Sequence, residues 1–101
     1  MLNNYTLWIG LPSFNEEDAI KKVLKSIISL KKKINKIRVI IVNDGSKDKT
    51  LLNAKKFQKK LNIKIINNKK NKGLGNALYT LIFFFKKKSI GNDKLVLMDC
   101  D

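Results

Sequence analysis

The sequence predicts an α/β fold in which a parallel sheet of about four strands, in the order 3-2-1-4, is connected by three crossover helices. Four short apolar or β-branched runs alternate with three segments whose apolar residues repeat at helical spacing. This alternation is typical of parallel sheets with right-handed crossovers. Polar turn formers follow strands one, two and four, at the ends where such sheets bind ligands.

The composition predicts one small globular domain over residues 1–101. Of the 101 residues, 44% are hydrophobic, which suffices for one core, while the length is too short for two domains. The single cysteine, Cys100, permits no internal disulfide, and histidine is absent. The sequence therefore excludes zinc sites built on His or Cys and nucleophiles activated by His. Carboxylate sites for hard metal ions remain open.

The net charge of +14 can be interpreted in two ways. Arg38 is the only arginine among 22 basic residues, and the lysines are spread over every segment. Nucleic-acid readers use arginine for its bidentate reach, so nucleic acid is disfavoured as a partner. A solvated lysine-rich surface is favoured, and association with an anionic membrane surface is the main alternative.

No apolar run reaches the roughly 18 to 20 residues needed to span a bilayer, and the N-terminus lacks the pattern of a signal peptide. We therefore expect a cytoplasmic location, with the cytoplasmic face of the membrane as the alternative.

The first strand is predicted from Thr6 to Leu11 and ended by Pro12. Asn15 is predicted to cap the first helix, with Asp18 three residues later as in a capping box. The apolar stripe of this helix is formed by residues three or four apart: Ile20, Val23, Leu24, Ile27 and Ile28.

The second strand is predicted from Arg38 to Val42, where a run of turn formers, residues 43–48, ends it. The second helix has a stripe of four residues: Thr50, Ala54, Phe57 and Leu61. The third strand is predicted from Ile63 to Ile66, and a polar loop over residues 67–72 follows it.

The third helix is predicted to open at Gly73-Leu74-Gly75. Its apolar stripe contains six residues: Leu74, Ala77, Leu78, Leu81, Ile82 and Phe85. Three consecutive aromatics, residues 83–85, cannot all face one core, so one is expected on the outside. A buried fourth strand from Leu95 to Met98 leads into Asp99-Cys100-Asp101.

Two common nucleotide motifs are excluded. Gly73-Leu74-Gly75 follows the third strand and has Leu78 at the third glycine position, so it fails the dinucleotide fingerprint, and no P-loop pattern occurs. What remains is a nucleotide-diphosphate site built from acids and loop backbone, in which Mg²⁺ or Mn²⁺ would lie between Asp99, Asp101 and the diphosphate.

Three upstream residues fit such a site but also have purely structural readings. Asn43 or Asp44 could hydrogen-bond a base or ribose, and Phe14 could pack against a base. Alternatively, Phe14 belongs to the core, Asn15 is only a cap and Asp44-Gly45 is only a turn.

Four segments together resemble glycosyltransferase family 2, in the family's order and at its usual separations. They are residues 11–17 (LPSFNEE), 42–50 (VNDGSKDKT), 71–77 (NKGLGNA) and 99–101 (DCD). The third segment is also similar to the polyprenyl-phosphate sugar transferases of the dolichol-phosphate mannosyltransferase kind. The resemblance implies a Rossmann-like glycosyltransferase A-type fold and inverting transfer of a sugar from a UDP- or GDP-linked donor. It implies a polyprenyl phosphate or a glycan as acceptor.

The resemblance also implies the site residues. The nucleotide-sugar site would comprise Pro12, Phe14, Asn15, Glu16, Asn43, Asp44, Lys72, Gly73 and Asp99. Asp99 and Asp101 would hold the metal, Mg²⁺ or Mn²⁺. The family's acceptor-binding half, which supplies the catalytic base, follows its Asp-x-Asp. We therefore expect a donor-binding half that is a truncated frame or a fragment, with no catalytic residue of its own and no activity alone. A non-catalytic nucleotide-binding or scaffold module and a basic membrane- or nucleic-acid-binding module are the alternatives.

Overall fold

The computed structural model describes residues 5–34 and 36–100, and it has the predicted α/β architecture. The strands are β1 (Leu7–Ser13), β2 (Ile37–Asp44), β3 (Asn62–Asn68) and β4 (Lys94–Leu97). The helices are α1 (Glu17–Leu30), α2 (Thr50–Lys56), which a 3-10 turn over Phe57–Lys59 extends, and α3 (Leu74–Lys88). Every strand pair is parallel, and the order β3-β2-β1-β4 confirms the predicted 3-2-1-4.

The sheet is covered on both faces because successive strand side chains point to opposite sides. Ile9 and Ile41 belong to the larger apolar cluster, which also contains Ile20 of α1 and Ala54 of α2, both predicted stripe residues. Trp8, Ile40 and Val42 pack with Ala77 and Leu81 of α3 on the opposite face. α1 and α2 therefore lie on one side of the sheet and α3 on the other.

Pro12 lies inside β1, so the prediction that it ends the strand is wrong. Gly10 is the last β1 residue paired with β4, and its carbonyl accepts a hydrogen bond from the N–H of Met98. The backbone nitrogen of Pro12, two residues further along, faces the same edge of β1. It lies beyond the residues of β1 that pair with β4. A proline nitrogen there removes no ladder hydrogen bond.

β2 and β3 both extend past their predicted ends into polar residues. Asn43 Nδ2 donates to Asn67 Oδ1 at 2.7 Å, and Asn68 Nδ2 donates to Asp44 Oδ1 at 3.0 Å. These cross-strand hydrogen bonds continue the pairing through residues that a propensity scale assigns to turns.

Asn15 does not cap α1, contrary to prediction. Glu16 precedes the helix and has no side-chain capping bond, while Asn15 has a positive φ of 52°. The capping acceptors are Asp48 in the loop after β2 and Thr50, the first residue of α2. Thr50 Oγ1 accepts the N–H of Glu16 at 2.8 Å, and Asp48 Oδ2 accepts the N–H of Glu17 at 3.2 Å. The cap is thus a tertiary contact, which local sequence spacing does not show.

The stripe predicted for α3 is only partly buried. Ala77 and Leu81 are buried, but Leu74 is 63% and Ile82 is 38% exposed. β4 is the edge strand of the described sheet, and its Val96 and Leu97 are half exposed, so the prediction of a buried fourth strand is wrong. Because β4 has four residues and lies at the edge of the described sheet, it leaves the side of α3 next to it uncovered.

Within residues 5–34 and 36–100, no helix combines the length and apolar character that crossing a bilayer requires.

Candidate functional site

A cavity of about 380 Å³ opens at the carboxyl ends of β1, β2 and β4, beside the start of α3. Its walls come from four chain segments and comprise Pro12, Ser13, Phe14, Glu16, Asp44, Asn71, Gly73, Leu74, Ala77, Asp99 and Cys100. The strand order reverses between β1 and β4 at this place, which is where parallel α/β sheets bind their ligands.

Asp44 is the most heavily hydrogen-bonded carboxylate lining the cavity. Its Oδ1 accepts from Asn68 Nδ2 at 3.0 Å and from the Lys72 N–H at 2.9 Å, and its Oδ2 accepts from the Gly73 N–H at 2.9 Å. Burial alone would raise the pKa of Asp44, but these hydrogen bonds and the charge of Lys72 hold it below the ordinary value. Asp44 is therefore ionised at neutral pH, and of roughly four lone-pair positions one is left for a ligand.

Gly45 lets the loop after β2 pass against the loop before α3. Its φ is +75°, and a Cβ there would lie 2.4 Å from the backbone nitrogen of Asn71. Asn71 Nδ2 also donates to the backbone carbonyl of Asp44. Since only glycine combines this φ with this clearance, Gly45 holds one wall of the cavity in place.

A second set of contacts joins the loop after β1 to the loop after β2. The Asn15 N–H donates to Ser46 Oγ, and the Lys47 N–H donates to Asn15 Oδ1, both at 2.9 Å. Asp48 supports this junction from its position near the start of α1. Burial raises its pKa, but hydrogen bonds from Thr50 and Glu17 outweigh that effect and bring the pKa below its ordinary value. A negative charge is favourable at a helix N-terminus.

The Asp-x-Asp segment is anchored through its middle residue. Cys100 is buried, and its Sγ lies 3.2 Å from Ser13 Oγ at the end of β1. Asp99 is exposed and lines the cavity. Asp101 lies outside the described residues, so its predicted role as a metal ligand stays a prediction.

The structure brings six of the nine predicted nucleotide-sugar residues to the cavity wall: Pro12, Phe14, Glu16, Asp44, Gly73 and Asp99. Phe14 is 45% exposed, which contradicts the alternative that it belongs to the core. Asn15, Asn43 and Lys72 do not line this cavity. Asn15 joins two loops, and Lys72 contributes its backbone N–H to Asp44.

Asn43 lies beside the cavity rather than in it. It is buried, and its Nδ2 is bonded to Asn67, while its Oδ1 has no hydrogen-bond partner within the described chain. Five lining residues were not predicted: Ser13, Asn71, Leu74, Ala77 and Cys100. Each lies within one of the segments that carry the family resemblance. Their position at the end of a strand or the start of a helix was the signal that could have placed them at the cavity.

The carboxylates at the cavity fit a metal ion that is coordinated partly by a bound ligand, rather than one coordinated by protein side chains alone. Among the described residues, no three His, Cys, Asp or Glu side chains come together in a group that could hold a metal. Asp44 is occupied by its hydrogen bonds, which leaves Asp99 and Glu16 as carboxylates on the wall. Mg²⁺ is often held by one or two carboxylates together with substrate phosphate oxygens, and this pattern suits Asp99.

Comparison with known proteins identifies the family. The family model for glycosyl transferase family 2 matches residues 8–101, nearly the whole chain. The chain belongs to glycosyl transferase family 2. The resemblance carried by the four sequence segments is thereby confirmed.

Three relatives match along most of this chain. The dolichol-phosphate mannosyltransferase of Pyrococcus furiosus is 31% identical over 91 residues, which cover 90% of this chain and 24% of that protein. The human dolichyl-phosphate beta-glucosyltransferase is 32% identical over 104 residues, covering 94% and 31%. An uncharacterized protein of Methanocaldococcus jannaschii is 40% identical over 70 residues, covering 67% and 28%. The chain therefore spans about a quarter to a third of the length of these relatives.

Solved structures confirm the fold expected of a family 2 member. Staphylococcus aureus TarS in complex with UDP-GlcNAc superposes with a TM-score of 0.79 at 26% identity, covering 95% of this chain and 26% of TarS. The mannosyltransferase PcManGT of Pyrobaculum calidifontis, in complex with GDP-Man and Mn²⁺, has a TM-score of 0.78 at 21% identity, covering 97% and 28%.

Proposed function

We propose that this chain is the donor-binding half of a family 2 glycosyltransferase and holds a UDP- or GDP-linked sugar in the 380 Å³ cavity. One observation carries the proposal. Ionised Asp44, exposed Asp99 and the start of α3 line one cavity at the place where the strand order of the sheet reverses. A base and ribose need a few oriented polar groups, and a diphosphate needs positive charge or N–H donors. Both kinds of group line the same cavity, where Asp44 Oδ2 accepts the Gly73 N–H.

Asp44 is proposed to accept a hydrogen bond from the base or ribose through its remaining lone pair. Its three protein hydrogen bonds keep the carboxylate in place without ligand, so little ordering is needed on binding. The half-exposed ring of Phe14 offers an apolar face for the base, and Pro12 and Glu16 complete this wall. Asn43, whose Oδ1 has no hydrogen-bond partner among the described residues, is proposed as a second polar contact for the donor.

Asp99 is proposed to hold the divalent metal together with Asp101, and α3 to face the diphosphate. When bound, Mg²⁺ or Mn²⁺ neutralises the negative charge that develops on the departing nucleotide diphosphate. Gly73 and Leu74 lie on the wall at the N-terminus of a 15-residue helix, where the helix dipole favours an anion. Lys72, beside this terminus, adds a positive charge.

Inverting transfer also needs a base that deprotonates the acceptor hydroxyl. We assign no residue of this chain to that role, and we propose that the 101 residues alone bind donor without turning it over. The acceptor is proposed to be a polyprenyl phosphate or a glycan. The names of relatives support both classes, since they include dolichol-phosphate transferases and a Staphylococcus aureus poly-beta-1,6-N-acetyl-D-glucosamine synthase. A cytoplasmic location is part of the same proposal.

Isothermal titration of the chain with UDP- and GDP-linked sugars, with Mn²⁺, with Mg²⁺ and with EDTA, tests donor binding. We expect affinity that requires the metal and that Asp99→Asn reduces by at least about tenfold, because one charged ligand is lost. Asp18→Asn, an exposed change outside the cavity, is the matched control. A folded sample with no metal-dependent binding would contradict the proposal, and unchanged affinity in Asp99→Asn would favour a non-catalytic nucleotide-binding module.

A further inference from the structure

The outward side of α3 carries apolar side chains where a solvated helix would carry polar ones. Tyr79 is 68% exposed and Phe83 is 56% exposed, and their rings stack with centroids 6.1 Å apart. Ile82, beside them, is 38% exposed. The buried residues Ala77 and Leu81 lie on the opposite side of the helix, so the aromatic pair takes no part in the core.

The charge next to this aromatic pair has one sign. α3 contains no Asp or Glu, and it ends in three exposed lysines, of which Lys86 and Lys87 follow Phe83 by about one turn. We call the set Tyr79, Ile82, Phe83, Lys86 and Lys87 the α3 outer face. The α3 outer face therefore contains exposed apolar side chains and, next to them, lysines.

We propose that the α3 outer face docks on an anionic lipid bilayer. Aromatic rings with a polar tip and aliphatic side chains enter the boundary between headgroups and acyl chains, while lysines stay at the phosphates. Each lysine near an anionic surface adds attraction, so the lysines and the apolar residues act together.

Charge complementarity favours this occupant over two others. A second copy would bring two lysine clusters together in a protein whose net charge is +14, which opposes self-association through this face. Single-stranded nucleic acid would stack on the aromatics but would leave aliphatic Ile82 without a matching contact. A bilayer matches the aromatic, aliphatic and cationic members of the face at once.

The position of the face relates it to the donor cavity. Leu74 lines the cavity, and Tyr79 is five residues further along α3, about 8 Å along the helix axis. Five residues also turn the helix by about 140°, so the α3 outer face and the cavity wall lie on different sides of α3 and are close only along its axis. The docking itself does not rest on the proposed transfer, since it involves no cavity residue.

Co-sedimentation with phosphatidylcholine vesicles, with and without phosphatidylglycerol, tests the inference without donor or metal. We expect binding to the anionic vesicles and little to the neutral ones. The double variant Tyr79→Ser and Phe83→Ser should lose about tenfold in partitioning, because it removes both aromatic anchors. Both side chains are exposed, so the variant should fold, which far-UV circular dichroism checks.

A charge-matched pair of variants separates docking by this face from attraction by net charge. Lys86→Glu with Lys87→Glu alters the face, while Lys25→Glu with Lys32→Glu makes the same charge change at exposed positions elsewhere. We expect the first pair to lose binding several-fold more than the second. Equal losses in the two pairs, retained binding in the aromatic variant, or a concentration-dependent dimer that the aromatic variant abolishes would overturn the inference.

Discussion

The backbone N–H of Gly73 donates a 2.9 Å hydrogen bond to Oδ2 of Asp44, across 29 residues of sequence. This bond attaches the end of β2 to the residue that precedes α3. The same carboxylate forms part of the cavity wall, so it supports the site and faces the proposed ligand at once. Perturbing Asp44 should therefore affect stability and binding together.

Asp44→Asn should destabilise the chain by about 2–3 kcal/mol, because a buried charged acceptor is replaced by an amide that turns N–H groups toward N–H donors. Urea unfolding measures the change. Asp18→Asn is the control, since Asp18 is exposed and its ion pair with Lys21 is 3.8 Å long. A cost below about 0.5 kcal/mol for Asp44→Asn would show that the three hydrogen bonds contribute little.

Stability should fall at acid pH. Asp44 and Asp48 both have a folded-state pKa below the ordinary value of 3.8. The unfolded chain therefore takes up protons at higher pH than the folded chain, and stability is fully present above the unfolded value and lost as pH falls toward the folded pKa. The free energy of unfolding from urea titrations should be level near neutrality and drop below about pH 4. In Asp44→Asn this drop should be shallower, and an equally steep drop would exclude Asp44 as a contributor.

The distant cap of α1 gives a third prediction. Thr50→Val keeps the shape of a fully buried side chain but removes the oxygen that accepts the Glu16 N–H and donates to Asp48. We expect a loss of about 1–2 kcal/mol in thermal or urea unfolding. Thr80→Val is the same substitution at a site where the hydroxyl only bonds back along its own helix, and it should change stability by less than about 0.5 kcal/mol.

Two glycines should respond in opposite directions to the same change. Gly45→Ala places a methyl group 2.4 Å from a backbone nitrogen at a φ of +75°, and we expect a loss of at least about 1–3 kcal/mol. Gly75→Ala lies in α3 with no heavy atom within 4 Å of the new methyl, and it should be neutral or stabilising by up to about 1 kcal/mol. Chemical denaturation of both variants checks this difference, and comparable losses would contradict it.

Most of the fold was predictable because it depends on periodic patterns. The β-branched run in β2 and the helical spacing of Ile20, Leu24 and Ile27 specify buried faces wherever they occur, and the observed core contains them. The turn formers after β2 and the acids after β4 predicted the loops of the cavity, since the ends of parallel strands share one sheet edge. The alternation of elements predicted a doubly wound parallel sheet, and the common strand order of such sheets, 3-2-1-4, is the one observed.

The sequence by itself therefore determined the fold class, the family and six wall residues of the cavity, because each depends on short-range pattern or on spaced motifs. Only the tertiary structure decided that Asp48 and Thr50 cap α1, that Asp44 is held by the loop before α3, and that Tyr79 and Phe83 face outward. Hydrogen bonds across 29 to 34 residues depend on where the whole chain places its loops. Local propensity carries no information about such distant partners.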